Sequence, residues 1–105
     1  MDIAVVDAGG NLKSHVRMNG AFIGSINISI NKAYTAIVFQ TETKDLAPLA
    51  QSGRELFGLS DAAGGRIVVF AGGIPLRRAG AVVGGIGVST GTVDQEVAEA
   101  GAAAF

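Results

Sequence analysis

Lys13, His15 and Arg17 occupy every second position of Leu12-Lys-Ser-His-Val-Arg-Met18, so a strand over this stretch presents all three on one face. His15 is the sole histidine of the chain. An imidazole between two cations can ligate a metal or shuttle a proton while Lys13 and Arg17 draw in an anion. The same alternation also describes a solvated outer face. With no cysteine present, disulfides, zinc–thiolate sites, iron–sulfur clusters and thiol nucleophiles are excluded. The carboxylates fall mostly at turns and helix ends and show no ligand spacing, which argues against a closed metal site made by the protein alone. A bound transition metal would therefore arrive inside a macrocycle that supplies most of its ligands, leaving the protein one axial position.

Other chemistries find less support. Gly85-Ile-Gly87-Val-Ser-Thr-Gly91 resembles a loose dinucleotide fingerprint, but no later strand carries the acidic residue that such a site requires. No Gly-Lys-Ser/Thr follows these glycines, and no Gly-x-Ser-x-Gly elbow is present for a serine triad with His15. Backbone N–H groups at Ser89–Val93, before a helix, could hold a carboxylate or phosphate. No acid/base pair is evident, so a binding module is expected rather than an enzyme.

These residues must be positioned by a small set of elements. Residues 3–8 form an apolar strand, Asp7-Ala-Gly-Gly-Asn11 a hairpin turn, and residues 12–18 the return strand. Residues 25–39 carry a helical stripe with Ser25 as N-cap. Thr43 caps a short helix through Ala50, limited by Pro48, and residues 51–64 read as a mobile loop anchored by Leu56, Phe57 and Leu59. A strand at 66–71 then connects through Ala71-Gly-Gly-Ile-Pro-Leu76 and a basic turn, Arg77-Arg-Ala-Gly80, to a strand at Ala81–Ser89. Thr92 and Gln95 form a capping box for a final helix reaching Ala104, with Val93, Val97 and Ala100 as its apolar stripe.

In the strand at Ala81–Ser89, Val82, Gly84, Ile86 and Val88 share one face and Val83, Gly85, Gly87 and Ser89 the other. The second face is almost bare, which implies close approach by a helix, another subunit or a flat ligand. A helix using Ala33 and Ala36 is the expected occupant; a ligand or subunit surface would make Gly85 and Gly87 binding residues. Hairpins separated by helices predict an antiparallel sheet with helices packed on it, an α+β fold.

A length of 105 residues suits one domain, residues 1–105. Hydrophobic residues make up 49% and charged ones 16%, with a mean hydropathy of +0.43, so apolar surface is expected to be buried between subunits. A net charge of −1 gives no general attraction to nucleic acid or anionic membrane. No apolar run is long enough to span a bilayer and no signal-peptide pattern opens the chain, which makes the cytoplasm the expected location.

Five segments, Val5-Val-Asp-Ala-Gly-Gly-Asn-Leu12, His15-Val-Arg-Met-Asn-Gly-Ala21, Asn31-Lys-Ala-Tyr-Thr-Ala36, Phe70-Ala-Gly-Gly-Ile-Pro-Leu76 and Gly84-Gly-Ile-Gly-Val-Ser-Thr-Gly-Thr92, closely resemble the GlcG/HbpS family. They look most like the branch containing the C-terminal domain of PduO-type corrinoid adenosyltransferases. The resemblance implies a profilin-like antiparallel sheet between helices, assembly into homo-oligomers from dimer to octamer, and haem as cofactor. It also implies His15 as the iron ligand, links to diol, glycolate or corrinoid metabolism, and a corrinoid adenosyltransferase or diol-utilisation enzymes as partners. Family members usually carry a helix before the first strand, whereas the sequence here opens at the strand, lacking the usual N-terminal helix. Either a neighbouring subunit replaces it or the sequence is a truncated reading of a longer gene. Ser89-Thr-Gly91 stands where Ser-Gly-Gly is usual. The reading that follows is a small haem-binding protein with His15 as axial ligand and Lys13 and Arg17 as propionate partners. The alternatives are a ligand-free assembly domain and an enzyme acting on a small molecule.

Overall fold

The computed structural model describes residues 1–105. Two hairpins build one antiparallel sheet: β1 (Asp2–Asp7) with β2 (Leu12–Arg17), and β3 (Gly73–Arg78) with β4 (Ala81–Ser89), in the order β2-β1-β4-β3. Helix α1 (Gly24–Phe39) lies on one face and α4 (Asp94–Ala103) on the other. Two single-turn helices, α2 (Thr43–Leu46) and α3 (Leu59–Ala62), punctuate the crossing between the hairpins. The expected α+β class is the one observed.

The bare face of β4 is covered by α1. Gly87 pairs with Ala4 of β1 and Gly73 of β3, and Gly85 with Val6 and Pro75. A Cβ at Gly85 would collide with the Ala33 carbonyl, and one at Gly87 with the Ser29 carbonyl and the Ala33 N–H. Helix backbone therefore rests directly on strand backbone. Ala33 and Ala36 are fully buried, as small residues at such an approach must be. Around this contact Ala4, Val6, Ala33 and Ile37 form one core, and Ile74, Leu76, Ile86, Val88 and Ala98 form the other, beneath α4.

Several boundaries differ from expectation. The strand of the second hairpin is not 66–71 but Gly73–Arg78, the segment that Pro75 marks as irregular. β3 is an edge strand, where a proline costs less because one side of the strand needs no donor. Residues 66–71 run along α1 instead: Val68 N–H donates to Thr35 Oγ1 at 3.0 Å, and the Arg66 guanidinium stacks 3.5 Å from the Tyr34 ring centre. Their β-branched residues serve burial there without a ladder. Ser25 does not cap α1; Ile23 stands at that position without a side-chain bond. Thr43 caps nothing, but its buried hydroxyl donates to Phe70 O at 2.5 Å and accepts from Gly73 N–H at 2.9 Å, fixing the entry to β3. Pro48 falls in a short 3₁₀ turn, Ala47–Leu49. Phe57 is exposed and anchors nothing, leaving Leu56 and Leu59 half-buried in the segment between. Nor does the capping box form: Gln95 Oε1 accepts from Gly72 N–H at 3.0 Å, and its amide donates to Glu42. Of the expected stripe, Val97 packs against the core while Val93 and Ala100 are exposed, and the fully buried residue of α4 is Ala98.

Replacing Gly85 or Gly87 by valine forces α1 off the sheet. We expect a loss of at least ~1–3 kcal/mol, the ordinary cost of overpacking, read as a lower melting temperature. An unchanged melting temperature in both variants would contradict direct backbone contact.

Candidate functional site

His15 sits on the edge strand β2, opposite Ala4, with Arg17 opposite Asp2. Asp2 is fully buried, between β2 and its other neighbour Ser89 on β4. Strand alternation points Asp2 and His15 to the same face, and His15 Nε2 lies 3.0 Å from Asp2 Oδ2. With Asp2 ionised, Nε2–H donates and the ring is held in one orientation. The other carboxylate oxygen, Oδ1, is buried and has no partner. Nδ1 is the ring nitrogen that no protein group occupies, and the side chain is 20% exposed.

The two flanking cations are also engaged. Arg17 Nη2 donates to Ala21 O at 2.6 Å, which folds residues 18–21 back against β2. A register irregularity between Val5 and Val6 interrupts the pairing beside Lys13, whose Nζ is 3.9 Å from Asp7 Oδ2. Asp7 is itself the hub of the hairpin turn, accepting from the N–H groups of Gly9 and Asn11 at 2.9 Å each. The Asn11 N–H, joined by those of Gly9 and the Asn11 side chain and by the Lys13 charge, holds its carboxyl below the usual carboxylate range.

The structure thus brings His15 and Arg17 together around the start of β1 and ties Lys13 to the turn at its far end. Gly85 and Gly87 are removed from this site, because α1 occupies the face on which a ligand would have to touch them. No group of three or more His, Cys, Asp or Glu side chains converges as a metal cage. What the geometry offers is one oriented, partly exposed imidazole on the edge strand, with Phe22 and Ile23 exposed in the segment that follows the Arg17–Ala21 bond. Asp2 was not singled out from sequence. A carboxylate at the first strand position reads as a solvated terminus until strand pairing buries it.

A second polar cluster also escaped the sequence. Lys32 of α1 is buried, its Nζ donating to Val88 O at 2.8 Å and pairing with Asp94 Oδ2 at 3.1 Å. It reads as a helical surface residue until the close approach of α1 carries it under the end of β4.

An antiparallel sheet clamped between helices is the architecture to which the comparisons also point. The chain belongs to the HbpS-like family: the family model described as haem degrading protein HbpS-like matches residues 1–104. It is similar to a 15.0 kDa protein of the dhaT–dhaS intergenic region of Citrobacter freundii, 45% identical over 93 residues, which are 89% of this chain and 66% of that protein. It is also similar to the corrinoid adenosyltransferase PduO of Salmonella typhimurium, 37% identical over 95 residues, 90% of this chain but 28% of that enzyme. Among solved structures, the PduOC–haem complex superposes with a TM-score of 0.95 at 36% identity, covering 99% of this chain and 77% of the other. No helix here is long and apolar enough to cross a membrane.

Removing the imidazole has a structural consequence of its own. His15→Ala leaves the buried Asp2 carboxylate with no partner on either oxygen, for which we expect a loss of about 1–3 kcal/mol. Urea denaturation should show it, and the double variant Asp2→Ala/His15→Ala should recover part of it. A fully stable His15→Ala protein would show that the pair contributes nothing.

Proposed function

We propose that this protein is a small haem-binding protein in which His15 supplies the axial nitrogen. The observation that carries this reading is the oriented imidazole of the sole histidine, on a fold that matches the PduOC–haem complex almost throughout. The donor set suits haem better than a free ion, since the macrocycle brings four of its own ligands and asks one of the protein. Asp2 would do for His15 what a carboxylate commonly does for a metal-bound histidine: fix the ring and raise its basicity. Nδ1 is the nitrogen available while that bond persists, and use of Nε2 would require breaking it. Lys13, whose side chain is 66% exposed, is free to leave Asp7 for a propionate. Arg17 contributes charge from a fixed position, and Phe22 and Ile23, each more than three-quarters exposed, offer apolar surface to the ring. Haem, when bound, supplies redox and oxygen chemistry; the protein's part is to hold it, orient it and set how much water reaches it.

This reading is checked by haem titration of wild type, His15→Ala and His15→Gln, with circular dichroism as the folding control. Glutamine keeps a donor for Asp2 but has no imidazole lone pair. We expect a shifted Soret band for wild type only, and weaker binding in acid, since a protonated imidazole cannot ligate. Equal affinity and identical spectra in all three would exclude His15.

We infer further that the chain works as a homo-oligomer. Helix α4 packs on β3 and β4 but not on β2, so on that side Val16, opposite Ile3 in register, is 57% exposed. Leu12, at the start of the same edge strand, and Met18, just beyond its end, are 48% and 53% exposed. An apolar edge strand is a surface that invites pairing. This is also the observation that favours an assembly domain as the second reading, with haem binding then absent. A cytoplasmic setting and association with a corrinoid adenosyltransferase or diol-utilising enzymes complete the proposal, supported by the similarity to part of PduO. Light scattering should give a dimer or larger, and Val16→Lys should shift it toward monomer. A monomer at micromolar concentration in wild type would contradict self-association.

A further inference from the structure

At the end of β4 a cavity of about 300 Å³ opens between α1, the Phe70–Ala71 turn and the first turn of α4. Its polar groups do not satisfy one another. Lys32, its side chain 3% exposed, directs two donors to Val88 O and Asp94 Oδ2 and has a third N–H left over. Asp94 Oδ2 takes Lys32 and, at 3.3 Å, the Thr90 N–H. Asp94 Oδ1 is buried without any donor. Gly91 and Thr92, which line the cavity, have backbone N–H groups with no acceptor in the chain. Ile28 and the exposed ring of Phe70 add apolar wall.

These leftovers define a ligand by subtraction. Lys32 is already balanced by Asp94, so an anion lacking a donor, such as sulfate, would set like charge against Asp94 Oδ1. A cation lacking an acceptor would leave the lysine N–H and two amides unmet. Gln95 offers neither role, since its amide is bonded to Gly72, Glu42 and Glu99. We propose that this cavity binds a small carboxylate carrying a donor, hydroxyl or ammonium, on the adjacent carbon. The carboxylate meets Lys32 and the Gly91 and Thr92 amides, the donor meets Asp94 Oδ1, and any short side chain lies against Phe70.

The test uses the intact chain, with amide NMR shifts followed during separate titrations of L-lactate, L-alanine, acetate and ethanolamine. Lactate or alanine should move the Gly91 and Thr92 amides and bind about tenfold tighter than acetate, the worth of one hydrogen bond to a charged group, and tighter than ethanolamine by at least as much, since that lacks the carboxylate. The better of the two shows whether Asp94 takes a hydroxyl or an ammonium group, and either order supports the site. Asp94→Asn should erase the advantage over acetate; if that variant does not fold, the wild-type comparison decides. Acetate binding as tightly as lactate and alanine, or no shift in residues 89–95 with any of the four, would overturn the proposal.

Discussion

The structure rests on the close approach of α1 to β4, where the helix backbone at Ser29 and Ala33 meets the strand at Gly87 and Gly85. Much else follows from that contact. Glycine on the strand, with small residues such as Ser29 and Ala33 on the helix, allows two backbones to meet this way, and the meeting fixes the depth and direction of α1. Because α1 sits so low, Lys32 reaches beyond the end of the sheet to Val88 O and Asp94, linking the helix on one face to the helix on the other. Because α1 is centred over β1 and β4, strand β2 lies at the margin of its footprint. His15 and Arg17 are left there, outside the core but next to its buried carboxylate.

That marginal position gives the site its character. A histidine inside the core would be fully enclosed, and one on a free strand would be unrestrained. Here Asp2, wholly buried, holds one nitrogen of a ring that remains one-fifth accessible. The cost of burying Asp2 falls on the fold, and the His15 bond offsets part of it. An oriented, partly exposed imidazole is what a metal-bearing macrocycle requires of a protein, and it is also a structural pair in its own right. Under the proposed haem reading, stability and binding are coupled at His15, and changes there must be read in both.

Much of the architecture was legible in the sequence. The alternation of Val82, Ile86 and Val88 against Gly85 and Gly87 announced a strand with a covered bare face, and Ala33 and Ala36 announced what covers it. Residues 66–71 misled because β-branched residues record burial, and burial against α1 leaves the same trace as burial in a sheet. Pro75 misled in the opposite direction, since proline argues against a strand only where both sides of the strand are paired. The shared strand of Lys13, His15 and Arg17 was correctly read. Their partners were not, because Asp2 and Ala21 reach them through pairing and a loop return that no local pattern encodes. The Lys32–Asp94 pair was invisible for the same reason: its members are 62 residues apart.

The single histidine permits an unusually direct test. Protein labelled with ¹⁵N only in histidine, loaded with ferric haem and studied by pulsed paramagnetic resonance, should show a strong ¹⁵N hyperfine coupling to the iron, absent from His15→Gln. A haem complex that forms with no such coupling, or whose spectrum is the same in the variant, would contradict the assignment of His15 as the ligand.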